Sequence, residues 1–141
     1  MAALARREHS RRELERKLGA RGLDGAVIEA ALNDLAGRGL QDDGRFAASY
    51  ARSRAGRGFG PRRIVAELRE RGIDGAALTG ALDAVEVDFR TLAREVRARK
   101  FSRPPQSLPE RAKQTRFLEY RGFEADHIRH ALEHTTDDED F

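Results

Sequence analysis

The sequence predicts an all-α protein made of tandem three-helix repeats that form an elongated array able to curve. Two observations predict this fold: the chain repeats itself at an interval of 50 residues, and its apolar residues recur at helical spacing. No segment of the sequence shows the alternation of apolar and polar residues that would indicate a β-strand. Because each short repeat buries its apolar face partly against the next repeat, we expect an elongated array.

Three copies of one pattern align without a gap when the chain is compared with itself. The copies read KLGARGLDGAVIEAAL, ELRERGIDGAALTGAL and FLEYRGFEADHIRHAL. Each copy contains an arginine followed by a glycine, and glycine at this place predicts a helix that ends in a left-handed residue. We assign the repeats to residues 1–57, 58–103 and 104–141, the last of them abbreviated and followed by an acidic tail. The glycines are Gly22, Gly72 and Gly122.

Helix starts are predicted from side chains that accept hydrogen bonds from free backbone N–H groups. Ser10 with Glu13 and Ser107 with Glu110 fit the capping box, in which serine precedes glutamate by three residues. Two aspartates are expected to cap the second helices of repeats one and two, and these are Asp24 and Asp74. The helix after Asp24 then carries an apolar stripe at positions 28, 31, 32 and 35.

Composition excludes several classes of function. The 141 residues include no cysteine, so a disulfide framework, a thiol nucleophile and a cysteine zinc site are all excluded. Without a long apolar run or a signal peptide, the chain is expected to be a cytoplasmic protein that contacts no membrane. The net charges of the three repeats are +4, +3 and −4, and Asp137 to Asp140 account for the last value. This distribution suggests a polyanion or an acidic protein surface as partner.

Candidate catalytic and metal-binding patterns are weak. Adjacent Asp42 and Asp43 diverge in a helix or strand, so capping and a favourable place at a helix N-terminus explain them better than a metal site. The segment GRGFGPRR lacks the spacing of a phosphate loop and is interpreted as a flexible linker between repeats. Three histidines share one side of the last helix, but no metalloenzyme motif accompanies them: His127, His130 and His134. We therefore expect no catalytic residue, cofactor or resident metal.

Arginine-rich segments are the main candidates for contact with a partner. One row recurs at helical spacing after Asp88, and further arginines close the first repeat and open the second. Planar guanidinium groups can bind phosphates or carboxylates with two hydrogen bonds at once. The alternative interpretation is a solvated face that is interleaved with acidic residues. The candidate contact residues are Arg52, Arg54, Arg57, Arg62, Arg63, Arg90, Arg94 and Arg97.

Three blocks of the sequence are typical of one known family: REHSRRELERKL (Arg7 to Leu18), GLQDDGRFAASYARSR (Gly39 to Arg54) and GPRRIVAELRERGI (Gly60 to Ile73). Together they resemble the RecX family of recombinase regulators, and the resemblance extends from about Leu4 to Leu132. Their order and spacing agree with the family, although Gln41 stands where the family has an apolar residue.

The resemblance implies a regulatory protein, not an enzyme, that lies in the groove of the RecA–DNA filament and contacts successive protomers. Such a protein inhibits the ATPase and strand exchange of RecA and thereby modulates recombination, DNA repair and the SOS response. The resemblance implies a monomer and leaves open direct contact with single- or double-stranded DNA. The alternative from the residues is a helix-turn-helix DNA-binding transcriptional regulator, in which DGAVIEAALNDLAGRG is the recognition helix. Glu29, Asn33 and Asp34 on that helix disfavour phosphate contact.

Overall fold

Eight α-helices make up the part of the chain that the computed structural model describes, residues 7–133. These residues include no β-strand, which agrees with the predicted all-α class. No helix among them is long and apolar enough to cross a lipid bilayer. In chain order the helices are α1 (Arg11–Ala20), α2 (Gly25–Gly37), α3 (Asp43–Gly56), α4 (Pro61–Glu70), α5 (Gly75–Asp83), α6 (Phe89–Lys100), α7 (Leu108–Tyr120) and α8 (Ala125–Glu133).

The helices group into two compact units. The first unit comprises the described residues up to 52 together with 66–85, and the second comprises 53–65 together with the described residues from 86 onward. In the first unit α1 packs against α2, and in the second α6, α7 and α8 pack against one another. The largest fully buried side chains of the first unit are Phe46, Leu32, Leu68 and Ile73, and those of the second are Phe123, Ile64 and Leu118.

The arginine–glycine pairs end α1, α4 and α7 in the same way. Gly22, Gly72 and Gly122 have φ values of 81°, 85° and 94°, which confirms the predicted left-handed ends. In each copy the residue after glycine donates its N–H to a carbonyl five residues earlier, as Phe123 does to Leu118 at 3.2 Å. The glycine donates to the carbonyl three residues earlier, so each helix ends in a Schellman motif.

All four predicted helix starts are confirmed, but a side-chain cap hydrogen bond forms only at the two serines. Ser10 Oγ accepts from the N–H of Glu13 at 3.1 Å, and a Glu13 carboxylate oxygen accepts from the N–H of Ser10 at 3.1 Å. Ser107 Oγ accepts from the N–H of Glu110 at 3.2 Å, but the Glu110 side chain accepts from the serine hydroxyl instead of the backbone. Asp24 and Asp74 occupy N-cap positions without a side-chain cap hydrogen bond.

Candidate partner-binding surfaces

The adjacent aspartates of the first unit each serve a helix start. Asp42 lies before α3, and its Oδ1 accepts from the N–H of Arg45 at 2.9 Å, which is the predicted capping role. Asp43 Oδ1 accepts from the N–H of Arg11, the first residue of α1, at 2.8 Å. It also accepts from Gln41 Nε2 at 2.8 Å. One carboxylate therefore lies near the N-terminal dipoles of two helices.

Gln41 is buried, at 6% exposure, just before α3. Its Nε2 donates to the Asp43 carboxylate and lies 3.4 Å from the carbonyl oxygen of His9. A buried amide is tolerated only when it is hydrogen-bonded, and these partners meet that condition. Gln41 therefore joins the segment before α1 to the start of α3 through polar contacts.

Replacement of the two aspartates by alanine should have unequal effects. Asp43→Ala leaves the buried Gln41 amide and the Arg11 N–H without their acceptor, and we expect a loss of about 2–3 kcal/mol in the free energy of unfolding. Asp42→Ala removes one exposed cap, for which about 1 kcal/mol is expected. Urea denaturation of both variants measures the difference. An equal loss in the two variants would contradict the shared role of Asp43.

His9 makes the stability of the first unit dependent on pH. Its side chain is buried, at 3% exposure, and its Nδ1 lies 3.1 Å from the carbonyl oxygen of Arg7. Burial, and secondly the positive charge of Arg7, lower the pKa of His9 below its ordinary value. The folded protein therefore binds fewer protons than the unfolded chain just below pH 6.5.

We expect the free energy of unfolding to fall as the pH decreases from about 6.5 towards the folded pKa of His9. Above that range this histidine contributes no pH dependence. Glu13 acts only at lower pH: burial raises the pKa of its carboxyl, but hydrogen bonds from Arg7 and the Ser10 N–H lower it more. Urea denaturation between pH 8 and pH 5 provides the measurement, with His9→Gln as control. A slope between pH 6.5 and 5 that persists unchanged in His9→Gln would assign the effect to other groups.

The histidines of α8 do not form a metal site in the part of the chain that is described. His127 Nδ1 lies 3.3 Å from the N–H of Glu124, at the start of α8, and its ring contacts Phe89 and Phe123. His130 is half-buried, and His134 lies outside the described residues. No group of three or more metal-ligating side chains occurs within residues 7–133.

The glycine-rich segment between α3 and α4 is bonded to the turn between α7 and α8. Gly60 donates its N–H to the carbonyl of Arg121 at 2.8 Å, and Arg62 donates to that of Gly122 at 2.9 Å. A Cβ atom at Gly60 would lie 2.6 Å from backbone atoms of Gly122, so only glycine allows this approach. The interpretation of this segment as a flexible linker is therefore wrong, because long-range backbone hydrogen bonds were not visible in the local sequence.

The predicted arginines lie in different environments. The exposed ones are Arg52, Arg57, Arg62 and Arg90, and the half-buried ones are Arg54, Arg63 and Arg94. In the second unit two guanidinium groups cover the ring of Phe59, with Arg54 Cζ 3.8 Å and Arg63 Cζ 4.6 Å from its centroid. Arg90 is paired with Asp126 at 3.2 Å, so part of its charge is neutralised.

Arg97 does not share the exposed row that was expected on α6. It is 4% exposed, and its Nη1 lies 3.5 Å from the carbonyl oxygen of Phe101 at the end of the helix. Its Nε has no hydrogen-bond partner among residues 7–133, and burial lowers the pKa of the guanidinium. Helical spacing places Arg97 near Arg90 and Arg94 in projection but does not show which side of α6 the neighbouring helices cover.

Three cations and two aromatic rings in the second unit were not predicted as site residues. Arg121 Cζ lies 4.8 Å from the ring centroid of Phe59 and 5.4 Å from that of Phe117, and Lys100 Nζ lies 5.7 Å from the latter. Arg121, Lys100 and Phe117 line a cavity together with Arg99, beside Arg57. The repeated arginine–glycine pair is the sequence signal for Arg121, but by itself it predicts only a helix end.

Comparison with known families accounts for this architecture. Models described as the first, second and third three-helix domains of RecX match residues 1–35, 42–82 and 87–132. The chain belongs to the RecX family. This assignment confirms the resemblance found in the sequence and the tandem three-helix organisation.

Related RecX proteins match along nearly the whole chain. The regulatory protein RecX of Stenotrophomonas maltophilia strain K279a is 44% identical over 139 residues, which are 98% of this chain and 85% of the relative. That of Xanthomonas axonopodis pv. citri strain 306 is 45% identical over 139 residues, which are 98% of this chain and 86% of the relative. Both relatives are regulatory proteins, so this RecX chain belongs to a family of regulators.

Solved structures of RecX proteins share the fold. A crystal structure of regulatory protein RecX superposes with a TM-score of 0.77 at 23% identity and covers 94% of this chain and 68% of that chain. RecX from Lactobacillus salivarius superposes with a TM-score of 0.71 at 27% identity and covers 94% of this chain and 88% of that chain. The first comparison concerns the fold alone.

Proposed function

We propose that this RecX chain regulates the RecA recombinase by binding the RecA–DNA filament as a monomer in the cytoplasm. In this proposal it inhibits ATP hydrolysis and strand exchange, and so modulates recombination, DNA repair and the SOS response. It is a regulator and not an enzyme. The observation that carries the proposal is its membership of a family of regulatory proteins across all three helical domains.

Exposed arginines in both units support a polyanionic or acidic partner. Arg52 in the first unit and Arg62 in the second are exposed, and neither has an ion-pair partner among the residues that the structure describes. Guanidinium groups in this state can bind phosphates of the DNA or carboxylates of the recombinase. Because both units carry such groups, binding by one unit raises the effective concentration of the other at the filament.

Titration of RecA's DNA-dependent ATPase tests the proposal. At a fixed filament concentration, we expect hydrolysis to fall as the protein is added and to reach a plateau by about one molecule per site on the filament, as stoichiometric binding requires. Strand exchange measured in parallel should fall over the same range. No inhibition at any ratio, together with tight salt-dependent binding to bare duplex DNA, would instead support the helix-turn-helix transcriptional regulator.

Charge reversal tests the arginine contacts separately. The double variant Arg52→Glu, Arg62→Glu should require about tenfold or more protein for half-maximal inhibition, because lost charge-assisted contacts become repulsive. Arg16→Glu, on the exposed part of α1, is the control for charge alone. If the control loses as much inhibition as the double variant, inhibition depends on overall charge. If the double variant inhibits as well as the wild-type protein, both arginines only face solvent and do not contact the filament.

A further inference from the structure

A basic cavity of about 200 Å³ opens on the second unit. Four of its lining side chains are cationic, and the other two form an apolar wall. The cations come from the loop after α3, the end of α6 and the end of α7. The lining residues are Arg57, Arg99, Lys100, Arg121, Val96 and Phe117.

Arg121 is held in place before any ligand is present. Its Nη1 donates to the carbonyl oxygen of Arg57 at 3.2 Å, and its guanidinium lies over the rings of Phe59 and Phe117. A cation that is fixed by ring contacts and a backbone hydrogen bond loses little conformational freedom when it binds an anion. The donor is therefore preorganised.

The loop that carries Arg57 is also fixed. Gly58 has a φ of 88°, and a Cβ atom there would lie 3.0 Å from Val96 Cγ2 and 3.7 Å from Arg121 Nη1. The next glycine, Gly60, is hydrogen-bonded to the carbonyl of Arg121 at 2.8 Å. Glycine thus lets the backbone lie against α6 and the end of α7, which brings the Arg57 backbone to the cavity wall.

The charge in the cavity is hardly neutralised. Arg57, Lys100 and Arg121 have no carboxylate within ion-pair distance in the part of the chain that the structure describes. Arg99 comes no closer than 4.0 Å to Glu95, and both side chains are at least half exposed. Several cations around one concave space leave a positive potential that an anion can satisfy.

Arg71 occupies the same position in the second repeat as Arg121 does in the third, and its contacts are those of a purely structural arginine. Arg71 also lies over a ring, with its Cζ 4.7 Å from the centroid of Tyr50. Its Nε, however, lies 3.7 Å from a carboxylate oxygen of Glu13, so its charge is balanced within the first unit. An arginine at this position can therefore pack in its repeat while an acidic partner balances its charge. In the third repeat, Arg121 packs without such a partner among the described residues.

We propose that this cavity binds a phosphate group. Cations that approach from three segments can donate to several oxygens of a tetrahedral anion, whereas a carboxylate offers only two oxygens in one plane. The cavity volume admits a phosphate together with part of its neighbouring groups. The phosphate can belong to a nucleic acid strand or to a free polyphosphate, and the site does not depend on the function proposed above.

Two ligands at low salt separate these sources. Isothermal titration calorimetry with sodium tripolyphosphate measures binding of a free polyphosphate. Fluorescence anisotropy with a labelled oligothymidylate measures binding of a phosphodiester strand. Binding of either ligand is expected, and the ligand that binds identifies the source. The double variant Arg57→Gln, Lys100→Gln should weaken binding by about tenfold or more, since hydrogen bonds to charged groups are lost. Failure of the wild-type protein to bind either ligand overturns the proposal.

The matched control removes one exposed charge elsewhere. Arg69 lies in the last turn of α4 in the first unit, and Lys100 lies at the exposed end of α6. The variant Arg69→Gln is compared with Lys100→Gln. Lys100→Gln should weaken binding several-fold, and Arg69→Gln should leave it within about twofold after correction for general charge. Thermal melting confirms that each variant is folded, and the single Lys100→Gln variant retains every packed side chain. An equal loss in the two single variants overturns the proposal.

Discussion

Replacement of Gly122 by alanine should destabilise the second unit by about 3–5 kcal/mol, because two separate penalties coincide there. The φ value of 94° is costly for any residue with a Cβ atom. The new methyl group would also meet Arg63, whose side-chain Cβ lies in its path and whose backbone nitrogen is 2.6 Å away. Backbone cannot rotate aside as a flexible side chain does, so the first turn of α4, which carries Arg63, must move. Urea denaturation measures the loss.

The other two repeats supply matched controls for this substitution. Gly22→Ala meets no atom of the described residues within 4 Å at a φ of 81°, so only the backbone penalty of about 1–2 kcal/mol applies. Gly72→Ala adds a contact with the Arg12 side chain, 2.9 Å from its Cβ, and should fall between them. The expected order of destabilisation is Gly22, Gly72, Gly122. Equal losses of stability in Gly22→Ala and Gly122→Ala would show that the close approach of Arg63 to Gly122 contributes nothing.

Arg97→Glu should destabilise the protein by about 3–5 kcal/mol, since it places an unpaired carboxylate where a cation is buried. The side chain is 4% exposed and ends beside the carbonyl oxygen of Phe101. A negative charge at the C-terminus of α6 is also unfavourable to the helix dipole. Thermal and urea denaturation give the measurement.

An exposed arginine on the same turn provides the comparison. Arg99→Glu changes the same charge, but its side chain is 71% exposed, so a loss below about 1 kcal/mol is expected. Arg97→Met preserves the apolar stem and removes a guanidinium whose Nε has no partner in the described part of the chain, so it should cost much less than Arg97→Glu. Similar stability of Arg97→Glu and Arg99→Glu would contradict the burial of Arg97.

Local chemistry explains why the helix ends were predictable. A glycine in a left-handed conformation and a serine followed by glutamate act through neighbouring backbone groups, so a short sequence contains the necessary information. Asp24 and Asp74 show the limit of this reasoning. Both occupy the N-cap position, but their side chains make no cap hydrogen bond, and residue type alone does not determine the side-chain direction.

Burial was less predictable, because it depends on which neighbour covers a face. Ala31 belongs to the apolar stripe of α2 but is exposed, whereas its equivalents Ala81 and Ala131 are buried. Arg97 shows the opposite error, since a charged residue expected in solvent is covered. In both cases helical periodicity gave the position of the residue around its helix but could not show how far neighbouring helices cover that side.

The candidate site was predictable only in part for the same reason. Arg57 and Arg63 were recognised from their density along the chain, but Arg121 lies 64 residues after Arg57 and was not associated with it. The backbone hydrogen bonds of Gly60 and Arg62, together with the hydrogen bond from Arg121 to the carbonyl of Arg57, bring these segments together. A single sequence contains no direct signal for such a pairing of two loops.

The carboxylate of Asp43 has a consequence for how the first unit opens. Its hydrogen bond with the N–H of Arg11 spans 32 residues, so the first turn of α1 cannot fray without releasing an acceptor at the first turn of α3. The two helix starts therefore form one cooperative element in hydrogen exchange, and the amide of Arg11 should report opening of a contact that is distant in sequence. Fluctuations at the beginning of the described chain are thereby coupled to the helix that carries Arg52.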